Sequence, residues 1–257
     1  MLWLVLIEFV FRLAFGLAAA MTFTSAKSVT SGFFRVHLWV ALGLNTFVAA
    51  AVALTSSQTP NASWILAISI AAAIASYVGS IFWLYEMKQA GWVSLLAVTL
   101  LDFSGGCLVA SWGAESGSPL WTNVINTLSS GLVLGFTFSA MLLGHWYLNT
   151  PSMKMAPLQR LIGLMVIAVV FRAVVSLGGL VGSWSPDRFQ SQAFLAFVGL
   201  RWLAGLLGLV ALAWMSWETL KIPNTQSATG ILYVAVIFAF LGELTSQLLS
   251  VQTPFPL

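Results

Sequence analysis

Apolar runs of about 20 residues recur eight times along the chain, each long enough at ~1.5 Å rise per residue to cross a bilayer as a helix. The runs predict helices at Leu2 to Phe23, Phe33 to Leu54, Trp64 to Tyr85, Trp92 to Trp112, Trp121 to Leu148, Leu158 to Val181, Ala193 to Trp217 and Gly230 to Val251. Between them lie short stretches with turn chemistry, such as Ser56-Ser57-Gln58-Thr59-Pro60-Asn61, Glu115-Ser116-Gly117-Ser118-Pro119, Asn149-Thr150-Pro151, Ser183-Trp184-Ser185-Pro186-Asp187 and Ile222-Pro223-Asn224-Thr225. None of these could hold an extramembrane domain. Segments this long and this uniformly apolar satisfy their backbone groups in lipid only as helices. The expected fold is therefore all-α: a polytopic membrane protein of eight transmembrane helices, forming a single membrane domain over residues 1–257.

Composition narrows the class further. Of 257 residues, 60% are hydrophobic and 7% charged, against about 25% charged in a typical soluble domain. So few charges cannot cover a water-facing surface, and the apolar surface must meet lipid. A formal charge of +3, with ten basic residues scattered along the chain, forms no basic patch, so nucleic-acid binding has no support. The single cysteine, Cys107, excludes an internal disulfide, a Cys-rich zinc site and an iron–sulfur cluster held by this chain alone. The start, Met1-Leu2-Trp3-Leu4, lacks a basic leader, and Glu8 and Arg12 interrupt its apolar run. It reads as a retained first helix.

Basic residues set the expected orientation, because cytoplasmic loops carry an excess of lysine and arginine. Connections 1–2, 3–4, 5–6 and 7–8, with their flanks, hold Lys27, Arg35, Lys88, Lys154, Arg160 and Lys221; the opposite side has Arg188, next to Asp187. Both termini are expected outside, which in a bacterial inner membrane means the periplasm. The two halves, 1–112 and 121–251, also share features. Helix 3 ends in Trp83-Leu84-Tyr85-Glu86-Met87-Lys88 and helix 7 in Trp217-Glu218-Thr219-Leu220-Lys221, while helices 2 and 6 open with Arg35 and Arg160. A parallel duplication of four helices would produce this, and so would positive-inside selection alone.

Six ionisable residues fall inside the spans: Glu8, Arg12, Asp102, Arg172, Arg201 and Glu243. A charge at the bilayer centre costs ~2.5–3.5 kcal/mol on insertion scales, so each needs compensation. Asp102 lies near mid-span and the other five in the outer half; over all six, three acids and three bases at similar depth can neutralise one another. Glu8 and Arg12, at i and i+4, share one helical face. Either the six form an ion-pair network that fixes packing, or they line a polar chamber. Pairing discriminates: both Arg172 and Arg201 on Glu243 favours packing, whereas a guanidinium facing a cavity implies a ligand. Asn45 is the other strongly polar mid-helix residue, and helix–helix hydrogen bonding accounts for it.

His37 and His145 each lie about one turn from the inner face, on helices 2 and 5. At equal depth they could hold a b-type haem axially, one could bond a quinone carbonyl, or both could be interfacial rings. Met141 precedes His145 by four residues, and Met153 and Met155 follow; thioether with imidazole suits Cu(I), although methionine in an apolar helix usually fills space. Gly131, Gly135 and Gly144, and Gly199, Gly205 and Gly208, permit close helix approach. Trp3, Trp39, Trp64, Trp83, Trp92, Trp112, Trp121, Trp146 and Trp217 read as an interfacial aromatic belt. No nucleophile elbow, H-E-x-x-H or P-loop occurs.

Eight helices, both termini outside, a basic first connection followed by Arg35, and a last span reading Phe238-Ala239-Phe240-Leu241-Gly242-Glu243-Leu244 together resemble the membrane anchor subunits of dimethyl-sulfoxide-reductase-type and NrfD-type respiratory enzymes. Those anchors carry a similar Gly-Glu in the final span. They commonly continue into an arginine and aromatics, where this chain has Leu244-Thr245-Ser246-Gln247. The resemblance implies quinone binding without a resident haem, and a partner subunit carrying iron–sulfur clusters. The expected function is a membrane-integral, non-catalytic subunit of a respiratory or electron-transfer complex that binds quinone or b-type haem. The alternatives are a small-solute or ion transporter lined by the intramembrane charges, and a structural or assembly protein in which those charges only pair.

Overall fold

A computed structural model describes residues 2–56, 61–113, 120–150, 153–182, 191–222 and 224–250. Eight helices among them are long and apolar enough to cross a membrane: α1 (Leu2–Phe23), α2 (Ser31–Leu54), α3 (Ala62–Leu84), α4 (Lys88–Gly113), α5 (Leu120–Asn149), α6 (Ala156–Gly182), α7 (Gln192–Lys221) and α8 (Thr225–Ser250). Each expected span falls on one of them. The elements run one to several residues longer than their apolar cores, because helix continues into polar flanks such as Lys88, Asn149 and Lys221. Glu115, Asp187, Arg188 and Val251 lie outside the described residues, as do the central residues of the connections after α2, α4 and α6.

Eight spans in succession bring the 1–2, 3–4, 5–6 and 7–8 connections to one end. Three cross-chain bonds gather there. The Trp92 indole donates to the Thr22 carbonyl at 3.4 Å, the Trp146 indole to Thr30 Oγ1 at 3.0 Å, and the Tyr233 hydroxyl lies 3.3 Å from His145 Nδ1. This end carries Lys27, Arg35, Lys88, Lys154, Arg160 and Lys221, and is called the basic end below. The opposite end, where α1 begins and α8 finishes, is the terminal end. Single cysteines at position 61 (Asn61→Cys) and position 154 (Lys154→Cys) should therefore label from opposite faces of sealed vesicles. Labelling of both from one face would refute the order of spans.

The helices pack as two sets of four. In the first, α1 packs on α4 and α2, α2 on α3, and α3 on α4; in the second, α5 packs on α8 and α6, α6 on α7, and α7 on α8. The sets meet mainly through α1 against α5. Burial follows from this arrangement. The most apolar windows of α1 and α5 are 83% and 78% buried, against 22–44% for the other six, so α1 and α5 form the centre and the rest present a face to lipid.

The centre is made of small residues. A β-carbon on Gly16 would overlap the Gly131 carbonyl, and one on Gly135 would overlap the Gly16 backbone. Only glycine lets the two backbones touch, and in lipid, where apolar side chains gain little by leaving one apolar medium for another, close contact drives association. Around this seam Leu13, Leu17, Leu134, Ala140 and Leu232 are buried in one continuous cluster.

One tryptophan departs from the expected belt. Trp39, Trp64, Trp92, Trp121 and Trp217 are exposed towards lipid, whereas Trp83 is buried and stacks on Phe34 with ring centroids 4.1 Å apart and planes 12° apart. Gly91 makes the room, since a β-carbon there would strike the Trp83 ring. Trp83 and Trp217 therefore correspond in sequence but not in environment.

Candidate functional site

The six ionisable residues do not form one cluster; they separate into three groups. Arg12 donates through Nη2 to Glu8 one turn earlier on α1, which leaves Arg12 buried and Glu8 part-exposed near the terminal end. This is the local pair expected from i, i+4 spacing. Asp102, on α4, is fully buried with no base beside it among the described residues. Its described partner is Asn45 on α2, whose amide nitrogen lies 3.4 Å from Asp102 Oδ2 and 3.1 Å from its own Ala41 carbonyl. Depth alone suggested that an arginine could neutralise Asp102; the helix on which it sits faces α3 and α1, away from Arg172 and Arg201.

The third group holds Arg172, Arg201 and Glu243. Arg172 Nη2 is 3.1 Å from Glu243 Oε2, and Arg172 Nε donates to Oε1 at 3.2 Å. Arg201 Nη1 is 2.9 Å from the same Oε1. All three side chains are essentially sealed from the surface. Two guanidiniums on one carboxylate leave a surplus positive charge in lipid, and neutral oxygens absorb it. Arg172 Nη1 donates to Asn126 Oδ1 at 2.7 Å and to Ser129 Oγ at 3.1 Å, while Nη2 donates to Ser246 Oγ at 2.8 Å. Arg201 Nη2 donates to Ser176 Oγ at 3.3 Å. Charged donors on neutral acceptors are the stronger class of hydrogen bond, and here they bolt α5, α6, α7 and α8 together at one level.

Backbone geometry makes the reach possible. Residues Leu203–Gly208 form a π-helical stretch within α7, starting two residues after Arg201. Such a bulge inserts a residue, resets the helical face and commonly marks a functional or packing-critical place. It brings Gly205 against Gly242 so closely that a β-carbon on either would meet the other's Cα. Arg201 and Glu243, the charged neighbours of that contact, are thereby drawn together.

Asn126, Ser129, Ser176 and Ser246 were not singled out as site residues in the sequence. A signal existed: Thr122, Asn126, Ser129 and Ser130 recur at three- and four-residue spacing on α5, so that a run of polar residues faces inward on an apolar helix.

The two histidines take different neighbours. His37 is buried, its Nδ1 2.6 Å from the Phe33 carbonyl and its ring against Phe33 and Trp146. His145 is exposed and meets Tyr233 of α8. Both lie towards the basic end, yet no described contact joins them. Met141 is buried one turn before His145, and among the described residues no three His, Cys, Asp or Glu side chains gather as a metal site.

A groove of about 240 Å³ opens between α5 and α6 towards the terminal end, lined by Trp121, Thr122, Ile125, Val174, Val175 and Gly178 with Gly179. Asn126 lies one turn in from Thr122, and Arg172 one turn in from Val175, so the groove sits directly outside the bolted cluster. Asn126 turns its oxygen to Arg172; its amide nitrogen takes no partner among the described residues. Compared with protein-family models, curated proteins and solved structures, the chain matches none.

Proposed function

We propose that the chain is a membrane-integral subunit of an electron-transfer assembly that takes a quinone from the lipid phase into the α5–α6 groove, with redox chemistry completed by a partner subunit. The supporting observation is the setting of Asn126. A quinone carbonyl needs a donor at the end of an apolar slot, while its isoprenoid tail stays in lipid. The groove is apolar, Asn126 lies one turn along α5 from its lining residue Thr122, and Arg172 holds the Asn126 oxygen, which leaves the amide nitrogen as the donor on offer next to the groove. Arg172 is then a positioning residue. The layout resemblance to respiratory anchor subunits points the same way, and the basic end favours a bacterial inner membrane with both termini in the periplasm.

A second reading is favoured by a specific observation: both arginines rest on Glu243 and all three are sealed, which supports a cluster that serves packing alone. The two readings agree on Glu243 and differ only on the groove. Photolysis with an azido-quinone separates them. The proposal expects labelling of α5 and α6 peptides that is lost in Gly178→Leu, a variant that fills the groove where a β-carbon at Gly178 meets nothing within 4 Å, with an unchanged melting temperature. Labelling elsewhere, or labelling unaffected by Gly178→Leu, would overturn it.

A further inference from the structure

A second groove, of about 500 Å³, lies between α2 and α3 near the basic end, lined by Arg35, Val36, Trp39, Tyr77, Ile81 and Leu84 with Ser80. Arg35 stands one turn into α2, and Ser80 lies one turn before the end of α3, so the opening sits near the level of the lipid headgroups. Its walls are apolar, and Trp39 and Tyr77 stand at its mouth with more than half of their surface exposed. Amphipathic rings of this kind settle at the boundary between acyl chains and headgroups.

The charge in this groove is unmatched. Arg12, Arg172 and Arg201 each lie within ion-pair distance of a carboxylate, whereas Arg35 has no acid within that distance among the described residues and is half-buried. Around it the basic end carries Lys27, Lys88, Lys154, Arg160 and Lys221 against Glu86 and Glu218, and Glu218 is held by Lys221 at 2.6 Å. A half-buried guanidinium without a counter-ion, facing an apolar slot that opens to the leaflet, calls for an anion that brings its own apolar chains. A phosphodiester fits the planar fork in bidentate fashion. A quinone has no negative charge to offer.

We propose that the α2–α3 groove is a binding site for an anionic phospholipid, with Arg35 on the phosphate, Trp39 and Tyr77 flanking the glycerol region, and an acyl chain lying along Ile81 and Val36. The site is separate from the α5–α6 groove and does not depend on it.

The test is lipid binding to the purified protein by native mass spectrometry, titrating phosphatidylglycerol and, in parallel, phosphatidylcholine. One basic residue near an anionic headgroup is worth about 1 kcal/mol, or about fivefold in affinity. Arg35→Gln should weaken phosphatidylglycerol by about that factor, Arg35→Lys should keep most of it, and phosphatidylcholine should be indifferent to either. Ile81→Trp, which fills the slot and keeps the charge, should also weaken phosphatidylglycerol, and it decides the matter if Arg35→Gln does not fold. Equal binding of the two lipids by the unaltered protein, or phosphatidylglycerol binding that survives both Arg35→Gln and Ile81→Trp, would overturn the proposal.

Discussion

Glu243→Gln is expected to cost about 3–5 kcal/mol of unfolding free energy, the usual consequence of removing one member of a buried ion pair. The isosteric amide keeps the shape and removes the one carboxylate that, among the described residues, meets Arg172 and Arg201. Two guanidiniums then remain in a sealed site with neutral oxygens alone, at Asn126, Ser129, Ser176 and Ser246. Those charge-assisted bonds are already made in the unaltered protein, so they are not available to replace the lost carboxylate. Replacing Arg201 by Gln in the same background should recover part of the loss, since it removes the uncompensated cation. The check is equilibrium unfolding in mixed detergent, with single and double variants compared. A proton-carrying role for Glu243 requires the opposite pattern: Glu243→Gln at native stability with electron transfer abolished.

The second large effect is expected at the α1–α5 seam. Gly135→Ala places a methyl group inside the backbone of Gly16, and Gly16→Ala places one on the Gly131 carbonyl. Overpacking a core ordinarily costs about 1–3 kcal/mol because side chains can shift. Here the obstacle on both sides is backbone, so α1 and α5 must separate along their length and the two four-helix sets lose their main contact. Either variant should exceed that range and increase proteolysis between the halves. Gly43→Ala and Gly163→Ala, where a β-carbon meets nothing within 4 Å, provide the controls and should be neutral or slightly stabilising, since alanine is the better helix former. Equal behaviour of Gly135→Ala and Gly43→Ala would show that the seam is not where the halves are joined.

The eight spans are legible in the sequence because lipid imposes one rule on every segment, that backbone groups be satisfied internally. Helix ends are less so: α7 continues through polar Glu218 to Lys221, since helix needs no apolar side chains outside the hydrocarbon. Which charges pair is harder still. In a soluble helix the polar face points to water and fixes the rotation about the axis; when both lipid and core are apolar, that cue fades. Depth along the span is readable and azimuth is not. Glu8 with Arg12 is recoverable because both lie on one helix. The arginine pair on Glu243 follows from depth together with the polar run Thr245-Ser246-Gln247. Asp102 shows the limit: its place along the span is readable, but that α4 turns it towards Asn45 is not. Trp83 shows the same limit from the other side, because a tryptophan near a helix end reads as interfacial until the Gly91 that receives it is placed beside it. The π-helical stretch after Arg201 has no counterpart in the pattern at all, and the Gly205–Gly242 contact that goes with it is made between helices.

Asn126 and the groove beside it were hidden for a similar reason, being built from two helices that only the fold sets side by side. The quinone content of protein purified in mild detergent from native membranes is the most direct test of what that groove holds. About one quinone per chain is expected in the unaltered protein, with a several-fold loss in Gly178→Leu at an unchanged melting temperature. A preparation that carries no quinone, and takes up none when quinone is added back, would contradict the assignment.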